Sequence, residues 1–123
     1  MTLLPSGRVA DGKLVLDDLR IPLPQRIRAA TRNDQTLVLG LRPEAVSLAT
    51  GNVLPGAIKL QGQVETIQPD YPHRALLLQL CTGRLAYPCL CPMDTPVEVG
   101  DTISVQLNSE RIYFFDQETG LTL

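Results

Sequence analysis

The sequence predicts an all-β domain, a small barrel or sandwich of short antiparallel strands with an N-terminal meander and one short helix. Three observations carry that expectation. Turn signals recur roughly every ten residues between short apolar runs. From 57 to 67 the chain alternates: Ile58, Leu60, Gly62, Val64 and Thr66 point one way, Lys59, Gln61, Gln63 and Glu65 the other. Such alternation marks a long strand with one buried face. Ten prolines and nine glycines in 123 residues favour short elements over long helices.

The elements follow in order. Val9 to Leu16 reads as two strands around an Asp11-Gly12 turn, a strong hairpin signal. Asp17-Asp18 makes a second turn into Arg20-Ile21-Pro22-Leu23, whose proline suits an edge or a strand end. Pro24 to Arg32 is the helix, since proline fits a first turn and Gln25, Arg26, Arg28, Ala29 and Ala30 tolerate helix well. Asn33-Asp34 ends it. Thr36 to Leu41 is a buried strand, with Leu37, Leu39 and Leu41 on one face and Val38, Gly40 and Arg42 on the other.

Pro43 then stops or bends the chain and pushes Arg42 to an extended conformation. Arg42 and Glu44 are expected to hold that crossover by pairing with each other or by bonding to loop backbone. Thr50-Gly51-Asn52 and Pro55-Gly56 form a loop, and Gly62 in mid-strand suggests a bulge or a sharp coil. Gln68 to His73 reads as a rigid turn, and Arg74 to Cys81 as a central strand. After the Thr82-Gly83-Arg84 turn, Pro88 and Pro92 are expected to hold Cys89-Leu90-Cys91 in an irregular segment. Val97 to Asp101 turns into a strand from Thr102 to Asn108; Asn108-Ser109-Glu110 turns again into Arg111 to Phe115. Asp116 to Gly120 is the closing turn. The division expected within this one domain is a meander with its helix over about 1–35 and a main barrel over about 36–123.

Composition excludes several classes. A net charge of −2 and five aromatic residues, with no Trp, leave no basic, base-stacking groove for nucleic acid. No apolar run approaches the roughly 20 residues of a membrane span, and the Met1 region lacks a signal-peptide pattern, which places the chain in the cytoplasm without direct membrane insertion. Cys81, Cys89 and Cys91 are an odd set, and C-x-C with a distant His73 lacks the spacing of a zinc site. Reduced, partly buried thiols are the expectation, with no metal and no cofactor. Arg26, Arg28 and Arg32 read as a solvated helix face. Asp17-Asp18 and the pair Asp116 and Glu118 are acidic residues of the kind turns use freely, so no catalytic residue is assigned.

Leu39-Gly40-Leu41-Arg42-Pro43-Glu44, then Gly62-Gln63-Val64-Glu65, Val99-Gly100-Asp101 and finally Phe115-Asp116-Gln117-Glu118-Thr119-Gly120 carry a further signal. Read together, they resemble the C-terminal region of ATP-binding cassette transporter ATPase subunits of the maltose and sugar-importer type. The resemblance spans about residues 3–123 and implies an OB-like barrel of the kind called a TOBE domain. Gly40, Arg42, Pro43, Glu44, Asp116 and Gly120 match its motifs as structural residues. After the long strand the family commonly has a Leu-Gly turn, where this chain has Thr66-Ile67-Gln68-Pro69-Asp70.

The chain has no Gly-x-x-x-x-Gly-Lys-Ser/Thr loop and no Leu-Ser-Gly-Gly signature, so ATP hydrolysis is not expected of it. What the resemblance implies is a non-catalytic regulatory and dimerisation domain of a sugar-importer ATPase subunit. Its implied partners are a second copy, the nucleotide-binding domain of the transporter, and a regulatory protein or small ligand. If part of a transporter, it would sit at the cytoplasmic face of the inner membrane. The alternative is a barrel that senses an oxyanion-type ligand, although the Ser-Ala-Arg-Asn opening of such barrels is missing.

Overall fold

Two antiparallel sheets meet at the turn around Pro43 in the structure, a computed structural model that describes residues 2–16, 19–49 and 56–123. The first sheet takes β1 (Thr2–Leu3), β2 (Gly7–Ala10), β3 (Lys13–Leu16) and β4 (Leu19–Pro22), then helix α1 (Gln25–Ala30), then β5 (Thr36–Leu41). The second takes β6 (Val46–Leu48), β7 (Ile58–Asp70), β8 (Ala75–Thr82), β9 (Leu85–Pro92) and β10 (Thr102–Leu107). The chain then returns to the first sheet as β11 (Tyr113–Asp116).

Turn chemistry starts the first sheet. Asp11 (φ 50) and Gly12 (φ 76) are both left-handed, as a two-residue hairpin turn requires, and Val9 pairs with Leu14 across it. β5 is the centre of this sheet. Leu37 faces Gly7 of β2 on one edge and Asp116 of β11 on the other. Farther along, Gly40 faces Leu3 of β1 and Tyr113 of β11. Leu37, Leu39 and Leu41 are fully buried, all on the inward face that the alternation predicts.

The second sheet runs β6-β10-β7-β8-β9, and β6 comes back beside β9 to make a nearly closed barrel. In its first part β7 keeps the predicted alternation, with Ile58, Leu60, Gly62 and Val64 buried. β8 is central, between β7 and β9, as expected. One apolar core joins the two sheets: Leu39 and Phe114 from the first and Leu78, Leu80, Tyr87 and Val105 from the second all belong to it.

Several expectations are corrected. The helix is shorter than Pro24 to Arg32, because Thr31 is already extended (φ −122, ψ 162). The sheets do not divide near residue 35: β5 hydrogen-bonds to the meander, and the change of sheet comes at Pro43. The stretch from Gln68 to Asp70 is strand, not turn; the hairpin turns over residues 71–74 instead. β10 pairs with β7 only up to Gln63, so Pro69 lies where β7 has one partner and tolerates a missing amide donor. Likewise Pro88 and Pro92 lie within β9, which keeps unbroken register with β8. The Cys89-Leu90-Cys91 segment is therefore regular strand.

The bulge falls between Val64 and Thr66, beyond Gly62. Arg111 belongs to a single 3-10 turn (Ser109–Arg111), and the last strand begins at Tyr113. The turn expected at Asp17-Asp18 and the loop Thr50-Gly51-Asn52 with Pro55 lie outside the described residues. Among the described residues, no helix is long and apolar enough to cross a membrane.

Candidate functional site

The crossover at Pro43 brings most of the motif residues into one place. Arg42 is extended (φ −99, ψ 153), as a residue before proline must be. Pro43 opens a 3-10 turn (Pro43–Ala45) in which the Ala45 amide donates to Arg42 O at 2.9 Å and the Val46 amide to Pro43 O. Backbone bonds thus hold the crossover. Among the described residues, no hydrogen bond or ion pair from the side chains of Arg42 and Glu44 does so, contrary to expectation. A single 3-10 turn leaves both exposed, and the Arg42 guanidinium lies over the Tyr113 ring, 5.8 Å from its centre. At an exposed site such a contact contributes about 0.5–1 kcal/mol.

The chain's return from the second sheet to the first runs beside this crossover. The Asn108 amide donates to Ala45 O at 2.9 Å, which ties the two connections together. Asn108 also caps the Ser109–Arg111 turn, its Oδ1 accepting from the Glu110 amide at 3.1 Å. Between the two connections lies a cleft of about 280 Å³ lined by Arg42, Glu44, Ala45, Glu110, Arg111 and Tyr113. Behind it, Leu3, Gly40 and Tyr113 stand opposite one another across β1, β5 and β11. Opposed residues share a face, so Leu3 and Tyr113 flank Gly40, which is itself buried. Leu3 is 62% exposed and Tyr113 40%. The roles of Tyr113, Glu110 and Arg111 were not legible in the sequence, because pairing 73 residues apart decides who faces Gly40.

The remaining motif residues, Asp116 and Gly120, form a separate structure at the other end of β5. Asp116 Oδ1 accepts from the amides of Glu118 and Thr119, at 2.8 and 3.2 Å. Its Oδ2 accepts from Gln35 Nε2 at 2.7 Å. The Gln35 bond first, then the Thr119 amide, hold the Asp116 carboxyl below the usual carboxylate range. Gly120 is left-handed (φ 74), and its amide donates to Asp116 O at 2.7 Å. Asp116 is a turn-former that locks β11 to the start of β5.

Two other features complete the chemistry. A groove of about 790 Å³ opens beside the seam between β6 and β9, walled by Leu48, Leu90, Pro92, Val97 and Ile103, with Asp94 as its charged lining residue. Inside the barrel, Thr82 Oγ1 donates to Gln61 O at 2.8 Å, so the Tyr87 hydroxyl, 2.6 Å away, donates to Thr82. Burial pushes the Tyr87 hydroxyl up from its ordinary pKa. Burial first, and Cys91 second, push the Cys89 thiol up to about 12; Cys91 is raised as well. These are core thiols, and Cys81 is the half-buried one.

The stretch Gly7 to Lys13 has the glycine and lysine spacing of a phosphate-binding loop but carries Leu14 where that loop needs Ser or Thr. It folds as the β2–β3 hairpin, with Leu14 fully buried, not as a loop leading into a helix. It holds no phosphate cradle.

Comparison with known proteins adds the following. Residues 6–48 match the family described as CysA C-terminal regulatory domain. The chain is 26% identical over 119 residues to the sn-glycerol-3-phosphate import ATP-binding protein UgpC of Vibrio vulnificus, covering 92% of the chain and 29% of that protein. It is 28% identical over 123 residues to the xylose/arabinose import ATP-binding protein XacK of Haloferax volcanii, covering 94% of the chain and 32% of that protein. The chain spans less than a third of the length of these curated relatives.

Proposed function

From its likeness to the C-terminal regulatory domain of sugar-importer ATP-binding subunits, we propose that this chain is a non-catalytic regulatory and dimerisation domain of such a subunit. The observation that carries this reading is the similarity over nine-tenths of the chain to two import ATP-binding proteins. The absence from the sequence of a complete phosphate-binding loop supports the non-catalytic part. The relatives are named for glycerol-3-phosphate and for xylose and arabinose, so the solute is a sugar or a similar polyol. The nucleotide-binding domain of the transporter is the first partner, a second copy of the chain is the other, and the cytoplasmic face of the inner membrane is the place.

ATP turnover tests this. The purified chain alone hydrolyses no ATP, and adding it to the nucleotide-binding half of a sugar-importer subunit changes that half's turnover. Hydrolysis by the chain alone contradicts the non-catalytic reading. Unchanged turnover at saturating chain contradicts the regulatory one.

A further inference from the structure

Two arginines and two glutamates, Arg42, Arg111, Glu44 and Glu110, border the cleft between the two connections, and all four are exposed. Among the described residues no ion pair joins them. Next to them stand Tyr113 and Leu3, large apolar side chains left 40% and 62% exposed on the outer face of the first sheet. Arg and Tyr are the residues that dominate protein interfaces, where a rim of charge sets orientation around an apolar centre.

The balance of signs selects the occupant. Nucleic acid, or a uniformly acidic or basic peptide, meets attraction from half of this cleft and repulsion from the other half. A two-fold contact uses one patch twice, so it needs a patch that complements itself. Two charges of each sign around an apolar row satisfy that condition: the arginines of one copy face the glutamates of the other.

We infer that the face formed by Leu3, Tyr113 and the Arg42–Arg111 cleft is the surface through which two copies of this chain associate. The inference rests on the dimerisation part of the function proposed above and says where it happens.

Charge exchange tests the face. One variant carries Arg42→Glu and Arg111→Glu, and a second carries Glu44→Arg and Glu110→Arg. All four positions are exposed, so both variants fold, and circular dichroism melts check this. Sedimentation equilibrium of the full chain is expected to show a dimer. Each variant alone should dissociate about tenfold or more readily, and an equimolar mixture of the two should recover the dimer. A wild-type chain that stays monomeric overturns the dimerisation reading itself. A wild-type dimer that both variants retain, or whose loss the mixture does not repair, overturns this face and leaves that reading standing.

Discussion

Tyr87 occupies the space that Gly62 leaves empty: a methyl group at residue 62 would stand 2.8 Å from the Tyr87 hydroxyl and 3.2 Å from Leu80 Cβ. Tyr87 is fully buried, so its ring has nowhere to retreat. The hydroxyl meanwhile donates to Thr82, which donates to the Gln61 carbonyl, and the two bonds join β9, β8 and β7. Gly62 is thus part of the barrel's central contact.

Gly62→Ala is expected to destabilise the domain by about 1–3 kcal/mol through overpacking. Tyr87→Phe should cost about 1 kcal/mol for the lost hydrogen bond, since Thr82 keeps its own acceptor. Combined, the two should cost less than their sum, because removing the hydroxyl removes the clash. Urea unfolding of the three variants measures this. Simple additivity would mean that the hydroxyl does not confine residue 62.

Asp116 supplies a pH prediction. Its carboxyl is held below the usual range by Gln35 and the Thr119 amide, so the folded pKa lies below the unfolded one. Its contribution is therefore complete above the unfolded value of about 3.9 and is lost as pH falls through the folded value. Asp116→Asn should flatten the acid limb of the stability curve below about pH 5. Equal acid dependence of variant and wild type in urea melts would contradict this role.

The cysteines should differ in reactivity. With Cys89 pushed up to about 12, only about one molecule in ten thousand carries its thiolate at pH 8. An iodoacetamide probe on the native chain should modify Cys81, which is half-buried, and leave Cys89 and Cys91 intact until denaturant is added. Mass mapping that finds Cys89 modified as fast as Cys81 would show that the barrel seam opens readily.

The legible parts of this fold were those where local chemistry leaves few choices. Asp11-Gly12 demanded a hairpin, and the alternation of Leu37, Leu39 and Leu41 set the buried face of β5. What stayed hidden depends on neighbours distant in sequence. Pro69 and Pro88 read as breakers, yet each lies where its strand is paired on one edge or at the barrel seam. Gln106 is a polar residue that β10 buries, its Nε2 reaching Leu48 O at 3.5 Å across to β6. Arg42 read as a partner of Glu44 or of loop backbone, whereas the return of β11 puts the Tyr113 ring beneath it. Of the candidate site, then, the crossover was visible from its own motif, and the second half of its lining was not.

The central claim is that this chain works against an importer ATPase without being one. Calorimetric titration of the chain into the nucleotide-binding half of a sugar-importer ATP-binding subunit tests it most directly. The account predicts saturable one-to-one binding. An absence of heat at every concentration reached, with both proteins folded, would contradict it.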